Sequence, residues 1–286
     1  MMRRLPKRLL TSCFIVTLLT SFALATTAGA QSLALAPAEV RASVKGGEPV
    51  RFDLTVSNEG STPVVMRASV TDFWYNADNE KVFAAPGTAP RSASDWVEFV
   101  PRDFTVPAMG SGKVSVVITP PPDASGGYYA VVFVESKPEL AQAASGEQRA
   151  IYTNMRLGAL VMLSAAGTET YAIGVDEPQF TLPGSHEPLT LAYRVTNKGN
   201  THIFPQTKLA ILSAGSRKLV ARTEGEPKRL LPDQAGTVSL TWDGTLPPGP
   251  YLAILSVVYS DKIETREVPF FVAGSAARAA EGSRKQ

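Results

Sequence analysis

Hydrophobic and polar residues alternate with a period of two along much of this chain, and the clearest instance occurs twice. Val50, Phe52, Leu54 and Val56 are interleaved with Arg51, Asp53, Thr55 and Ser57, the pattern of a strand with one buried face. Leu189, Leu191, Tyr193 and Val195 keep the same register in a second stretch. The two strands sit in matching segments: Glu48 and Glu187, Pro49 and Pro188, Val56 and Val195, Asn58 and Asn197, Gly60 and Gly199, and Thr62 and Thr201 fall at equal offsets. The Asn-x-Gly that follows each strand supplies residues tolerant of φ > 0, so a reversal of the chain is expected there. A strand and turn repeated at domain spacing predict two related β-domains in tandem.

The same alternation places further strands. Leu33 to Val44 reads as a first strand, with Pro37 confining it to an edge or dividing it. In the next, from Val64 to Trp74, Val64, Met66, Ala68 and Val70 share a face. Asn76 to Glu80 is a polar hairpin turn rather than a calcium loop, because it has no glycine for the sharp bend and too few oxygen ligands. A Pro/Ser/Ala-rich loop follows from Ala84 to Ser94, and Trp96 then reads as an anchor of the core. A second pair of landmarks also repeats. Pro120-Pro121-Pro122 and Gly127 precede the apolar strand from Tyr128 to Glu135, and Pro247-Pro248-Gly249-Pro250 precedes the one from Tyr251 to Tyr259. The landmarks lie closer together in the second copy, so the first domain is the embellished one.

Beyond a polar, Ala-rich and mobile loop from Lys137 to Arg149, a strand is expected from Ile151 to Ser164. Ile151, Met155, Leu157, Ala159, Val161 and Leu163 share one face of it, interrupted by Thr153. The other face begins polar with Tyr152, Asn154 and Arg156 and becomes apolar with Leu160 and Met162. Such a strand would run about 46 Å at ~3.3 Å per residue, far beyond its expected partner Tyr128 to Ser136. Either its first half is loop, or an apolar-faced strand projects beyond its own sheet.

Composition narrows the function classes. Of 286 residues, 44% are hydrophobic and 19% charged, with 22 Gly and 22 Pro, a profile that suits a turn-rich globular β protein and excludes disorder. A net charge of +2, with much of the basic excess at the two ends, offers no face for nucleic acid. Arg3, Arg4, Lys7 and Arg8, an apolar run through Leu18, Leu19, Phe22 and Leu24, and Ala28-Gly29-Ala30 together predict a secretory signal over residues 1–30, cut before Gln31. The single cysteine, Cys13, falls inside it, so no disulfide is expected. No later stretch is long and apolar enough to span a membrane, which predicts a periplasmic or secreted product without stable membrane insertion. The expected division is 31–166 for the first immunoglobulin-like domain, 167–273 for the second and 274–286 for a disordered tail.

The chain shows no chemistry that would mark an enzyme. Its two histidines, His186 and His202, lack metal-ligand spacing, and no nucleophile elbow, P-loop or dinucleotide fingerprint is present. Asp176-Glu177 before Pro178 reads as a solvated turn. No cofactor and no metal are expected. What remains is recognition through β surfaces, where an exposed edge can capture another chain by strand addition.

With a signal segment, two β-domains and a long loop before the last strand of the first, the chain resembles the PapD-like periplasmic chaperones of pilus assembly. Tyr128 to Pro138 stands where that family has an aromatic-rich strand ending in Ile-Pro, although Lys137 replaces the isoleucine and the family's asparagine is missing. The resemblance implies that Ile151, Met155 and Leu157 are donated to an incomplete pilin-like subunit. It also implies that Arg41 and Arg156 hold the subunit's terminal carboxylate. The N-x-G turn and the proline-rich bend before Gly-x-Tyr are similar, in addition, to the WxL-interacting envelope proteins, which implies contact with peptidoglycan or surface proteins; that family's C-terminal membrane helix is absent. The expectation is thus an all-β protein of two tandem immunoglobulin-like sandwiches that binds secreted fimbrial or pilus-type subunits, the alternative being an envelope structural or adhesive module.

Overall fold

The computed structural model describes residues 32–76, 80–137, 139–141, 151–181 and 188–273. The expected signal, the polar tail, His186 and most of the loop before Ile151 lie outside these residues.

The first sandwich is built from two sheets. One contains β1 (Leu33–Ala36), β3 (Val50–Asn58), β8 (Gly110–Ile118) and β6 (Val97–Val100), in that order. The other runs β2 (Glu39–Val44), β12 (Arg156–Ala165), β9 (Gly126–Ser136), β4 (Val64–Tyr75) and β5 (Lys81–Ala84), with β7 (Asp103–Val106) also on β4. The proline at 37 divides the expected first strand. Its halves join opposite sheets, as suits a residue that cannot donate to a ladder. Alternation fills the space between the sheets: Leu54 and Val56, Met66 and Ala68, Val114 and Val116, Val132 and Val134, and Val161 and Leu163 interdigitate there. Trp96 packs against this core and tilts over Tyr128 at 4.5 Å.

The second sandwich repeats the plan. One sheet centres on β15 (Leu189–Asn197), flanked by β18 (Ala235–Trp242) on one side and by β13 (Ile173–Val175) and β14 (Gln179–Thr181) in succession on the other. The facing sheet runs β17 (Leu219–Glu224), β16 (Gln206–Ser213), β19 (Gly249–Tyr259) and β20 (Lys262–Val272). Leu189, Leu191, Tyr193 and Val195 are all buried, in the register that their alternation predicts.

Both repeated landmarks acquire a physical meaning. At the strand ends, Gly60 N–H donates to Asn58 Oδ1 and Gly199 N–H to Asn197 Oδ1, each at 2.9 Å. Each amide nitrogen reaches two carbonyls, those of Thr62 and Pro107 from Asn58 and those of Thr201 and Leu230 from Asn197. The expectation of positive φ is not met, since none of these four residues has it. The turn is made instead by the asparagine side chain standing in for backbone. At the second landmark, Gly126 and Gly249 do take positive φ. Tyr251 then donates its hydroxyl to Pro247 O at 2.8 Å, while Tyr128 accepts from Ser125 N–H at 3.2 Å. A tyrosine tied back to the chain that precedes its strand is a hallmark of immunoglobulin-type sandwiches.

The sheet carrying β9 and β12 is buried on both faces, which its long apolar runs anticipate. Its outer face bears Phe73, Tyr129, Val131, Phe133 and Met162, which pack with Leu231 and Phe204 of the second sandwich. Polar contacts fix the same junction. Gly127 N–H donates to Asn200 O at 2.8 Å, Ser164 and Thr201 share a hydroxyl hydrogen bond at 2.9 Å, and Asn200 holds the connecting segment through Thr168 O and Thr170 N–H. A side chain on Gly199 would meet Thr170 O at 2.2 Å, so only glycine lets the connection lie against this turn.

Candidate functional site

The strand expected from Ile151 to Ser164 is not continuous. β11 (Ile151–Thr153) pairs antiparallel with β10 (Glu139–Ala141), and β12 begins three residues later. The break falls at Asn154 and Met155, where Met155 O accepts from Ser136 N–H at 2.8 Å and Met155 N–H donates to Ser136 Oγ at 2.9 Å. A side-chain hydroxyl has taken the place of a ladder partner. β10 also shows that the polar segment after Lys137 is not loop throughout. Together β10 and β11 form a two-stranded ribbon beyond the main sheet, so of the two alternatives, loop or projecting strand, Ile151–Thr153 is strand, separated from β12 by the break.

β12 is flanked unequally. On one side β9 pairs with all of it, from Arg156 opposite Glu135 to Ala165 opposite Gly126. On the other, β2 runs parallel to it only from Leu160 to Ala165. Leu160 N–H donates to Ala38 O at 3.0 Å, so Leu160 turns its backbone toward β2. By the alternation of a strand, Gly158 and Arg156 turn theirs to the same side. Among the described residues no strand pairs with Arg156–Ala159 on that side, nor with β11 opposite β10. Among the described residues the result is an open edge, with backbone donors and acceptors that no strand pairs.

The side chains around this edge are distributed as follows. Leu157 points inward and packs against the rim of the core, partly buried, and Met155 is half-buried. Ile151 lies in β11. Arg156 projects from the opposite face, paired with Glu135 at 2.6 Å and stacked 3.6 Å above the Phe133 ring.

Arg41 lies elsewhere. Opposite Met162 in the parallel ladder, it is six positions along the sheet from Arg156, or about 20 Å at ~3.3 Å per residue. The structure therefore does not bring the two arginines together. Arg41 belongs to the junction between the sandwiches, where its guanidinium covers the Phe204 ring at 3.9 Å and pairs with Glu39 at 2.5 Å. Glu39 also pairs with Arg229 of the second sandwich. His202 is packed edge-on between Tyr129 and Phe204, at 5.8 and 5.7 Å. Burial, assisted by Arg41 and Arg229 and opposed by Glu39, lowers its pKa to about 4. Among the described residues its Nδ1 has no hydrogen-bond partner.

Sequence reasoning missed Phe204, Arg229 and the role of His202, since they meet their partners only through the packing of two domains. It also missed Asp72, a carboxylate that continues the apolar face of Val64, Met66, Ala68 and Val70, which was a usable signal. Fully buried, Asp72 accepts from Ala89 N–H at 2.7 Å and from the hydroxyls of Ser92 and Ser94. Burial alone would raise its pKa, but these bonds outweigh it and hold the group below the ordinary carboxylate range. Asp72 thereby pins the Pro/Ser/Ala-rich loop to the sheet. Among the described residues no group of three or more His, Cys, Asp and Glu could hold a metal ion, and no helix is long and apolar enough to cross a membrane.

No family model matches the chain, and no curated protein matches it. Among solved structures it is similar to the class 5 fimbriae chaperone CfaA, at 8% identity over 85% of this chain and 100% of that one, with a TM-score of 0.45. It is also similar to a chain of the Salmonella enterica SafA pilin–SafB chaperone complex, at 14% identity over 84% and 96% with a TM-score of 0.39. A third likeness is to the E. coli chaperone DraB, at 14% over 85% and 98% with a TM-score of 0.39. At TM-scores below 0.5 these likenesses carry no functional weight, and the open edge stands on its own geometry.

Proposed function

We propose that this chain is a periplasmic assembly chaperone that captures a secreted, fimbrial or pilus-type subunit by β-strand addition. The observation that supports this reading is the half-open strand β12. A strand inside a two-faced sheet is covered by β2 over its second half and, among the described residues, left bare over its first, and the bare part continues toward the projecting ribbon. Unpaired edges invite association, and proteins ordinarily shorten, cover or charge them. Here the edge offers backbone hydrogen bonds to an incoming strand. In this reading Ile151, Met155 and Leu157 are the donated residues, and burial of a large apolar side chain against a client contributes about 1.5–3 kcal/mol before ordering costs. Arg156, at the mouth of the edge, is the basic residue placed to meet a client. Arg41 supports the reading indirectly, by fixing the angle between the domains. No nucleotide or other cofactor enters this mechanism.

The test is to express the tagged full-length chain in its host, purify it from the soluble extracytoplasmic fraction and determine what co-elutes. A one-to-one complex with a small secreted β subunit is the expected result. Recovery alone, or with peptidoglycan fragments, would overturn the chaperone reading in favour of an envelope-binding module.

A further inference from the structure

The sandwiches enclose a cleft of ≈ 680 Å³, away from the open edge. We propose that it is a second binding site, for a small planar apolar anion. One wall comes from the end of β4 and the loop that Asp72 pins, the other from β15 and the turn at residues 231–235. Phe73, Tyr75, Tyr129 and Leu231 give it an apolar lining, and its volume lies within the ~300–1,000 Å³ typical of small-molecule sites.

Two cations face this lining, Arg91 and Arg194. Arg91 reaches only the carbonyls of Ser125 and Gly127, at 3.4 and 3.3 Å. Arg194 is exposed, and among the described residues its side chain has neither a carboxylate nor a hydrogen-bond partner. Among the described residues the one carboxylate in the lining is Asp233, which forms no ion pair with either, so these described groups sum to a net positive charge. Other arginines do find acids, as Arg67 does with Asp103 and Arg217 with Glu267. A guanidinium left unpaired beside aromatic surface suits a carboxylate, which it can grip through two parallel hydrogen bonds, attached to a flat apolar body.

The walls are also held in place before any ligand arrives. Asp72 fixes Ala89 and Ser92 on one side. On the other, Leu231 N–H donates to Gln234 Oε1 at 3.0 Å, and Asp233 N–H donates to Asn197 O at 3.0 Å. Preorganisation of this kind lowers the ordering cost of binding.

The test uses 2-naphthoate as probe and 2-naphthamide as its neutral counterpart, titrated calorimetrically into the full-length chain at low and high salt. Saturable binding of the naphthoate is expected, at least about tenfold tighter than the amide, as charge-assisted hydrogen bonds would give, and weakening with salt. Arg91→Gln and Arg194→Gln should each weaken it several-fold, with melting temperatures showing that both variants are folded. Absence of saturable binding, equal affinity for the amide, or unchanged affinity in the double variant would overturn the proposal. Client capture at the β12 edge is a separate readout, so failure of one site does not imply failure of the other.

Discussion

Phe133 occupies the space that a side chain at position 158 would need. The two residues are directly opposite in the β9–β12 ladder, and a Cβ on Gly158 would lie 2.8 Å from Phe133 Cε1. The ring lies against the glycine and carries Arg156 over its face, so the open edge is stiffened by an aromatic lid. Gly158→Val should force the ring aside and cost about 1–3 kcal/mol by overpacking. Urea denaturation will show the loss. A variant of wild-type stability would mean that the ring moves freely and that the edge is not held rigid.

Client capture provides the next test. Met155→Asp and Leu157→Asp each place a charge where an incoming strand would bury apolar surface, and capture should fall at least tenfold in quantitative co-purification. Leu157 touches its own core and Met155 does so less, which makes Met155→Asp the cleaner probe. Thermal unfolding of both variants separates lost binding from lost folding. Undiminished capture by two folded variants would remove Ile151, Met155 and Leu157 from the site.

The asparagine turns should differ in consequence. Asn197 is fully buried and Asn58 is 2% exposed, and loss of either side chain leaves buried backbone groups unpaired at about 1–3 kcal/mol. Asn197→Ala should also loosen the junction, because the turn it builds carries Asn200 and Thr201. Hydrogen exchange at Gly127 and Thr170 is expected to rise in Asn197→Ala and to stay unchanged in Asn58→Ala.

Stability should fall in two acid windows. Burial lowers the His202 pKa to about 4 from the ordinary 6.5, so the unfolded chain binds a proton that the native one resists. No penalty exists above pH 6.5; stability declines as pH falls toward 4 and levels off below, by a total on the order of 3 kcal/mol. His202→Phe should flatten this window. Asp72 acts lower. Its depressed pKa contributes stability above the ordinary carboxylate value that is lost as pH falls through the folded one, and Asp72→Asn should remove that part alone. Chemical denaturation from pH 7 to pH 3 will separate them.

Legibility in the sequence followed the range of the interactions involved. The β3 and β15 strands could be read because alternation and burial are local, and so could the repeated turns. How those turns work could not, since Asn58 and Asn197 each also hold a carbonyl far along the chain, those of Pro107 and Leu230. The break at Asn154 and Met155 depends on one hydroxyl, Ser136 Oγ, that no periodicity announces. The separation of Arg41 from Arg156 depends on where β2 enters the sheet, which is a property of register rather than composition.

That entry point also acts as a ruler. β2 begins beside Leu160, so a guest strand laid along Arg156–Ala159 would run end-on into Ala38 and Glu39. On the strand-addition reading it would finish there, and a partner offering only the uninterrupted middle of a long strand would be refused. Discrimination of this sort needs no pocket for a particular side chain. The chain would select for a loose end, the feature that distinguishes an unfinished protein from a finished one.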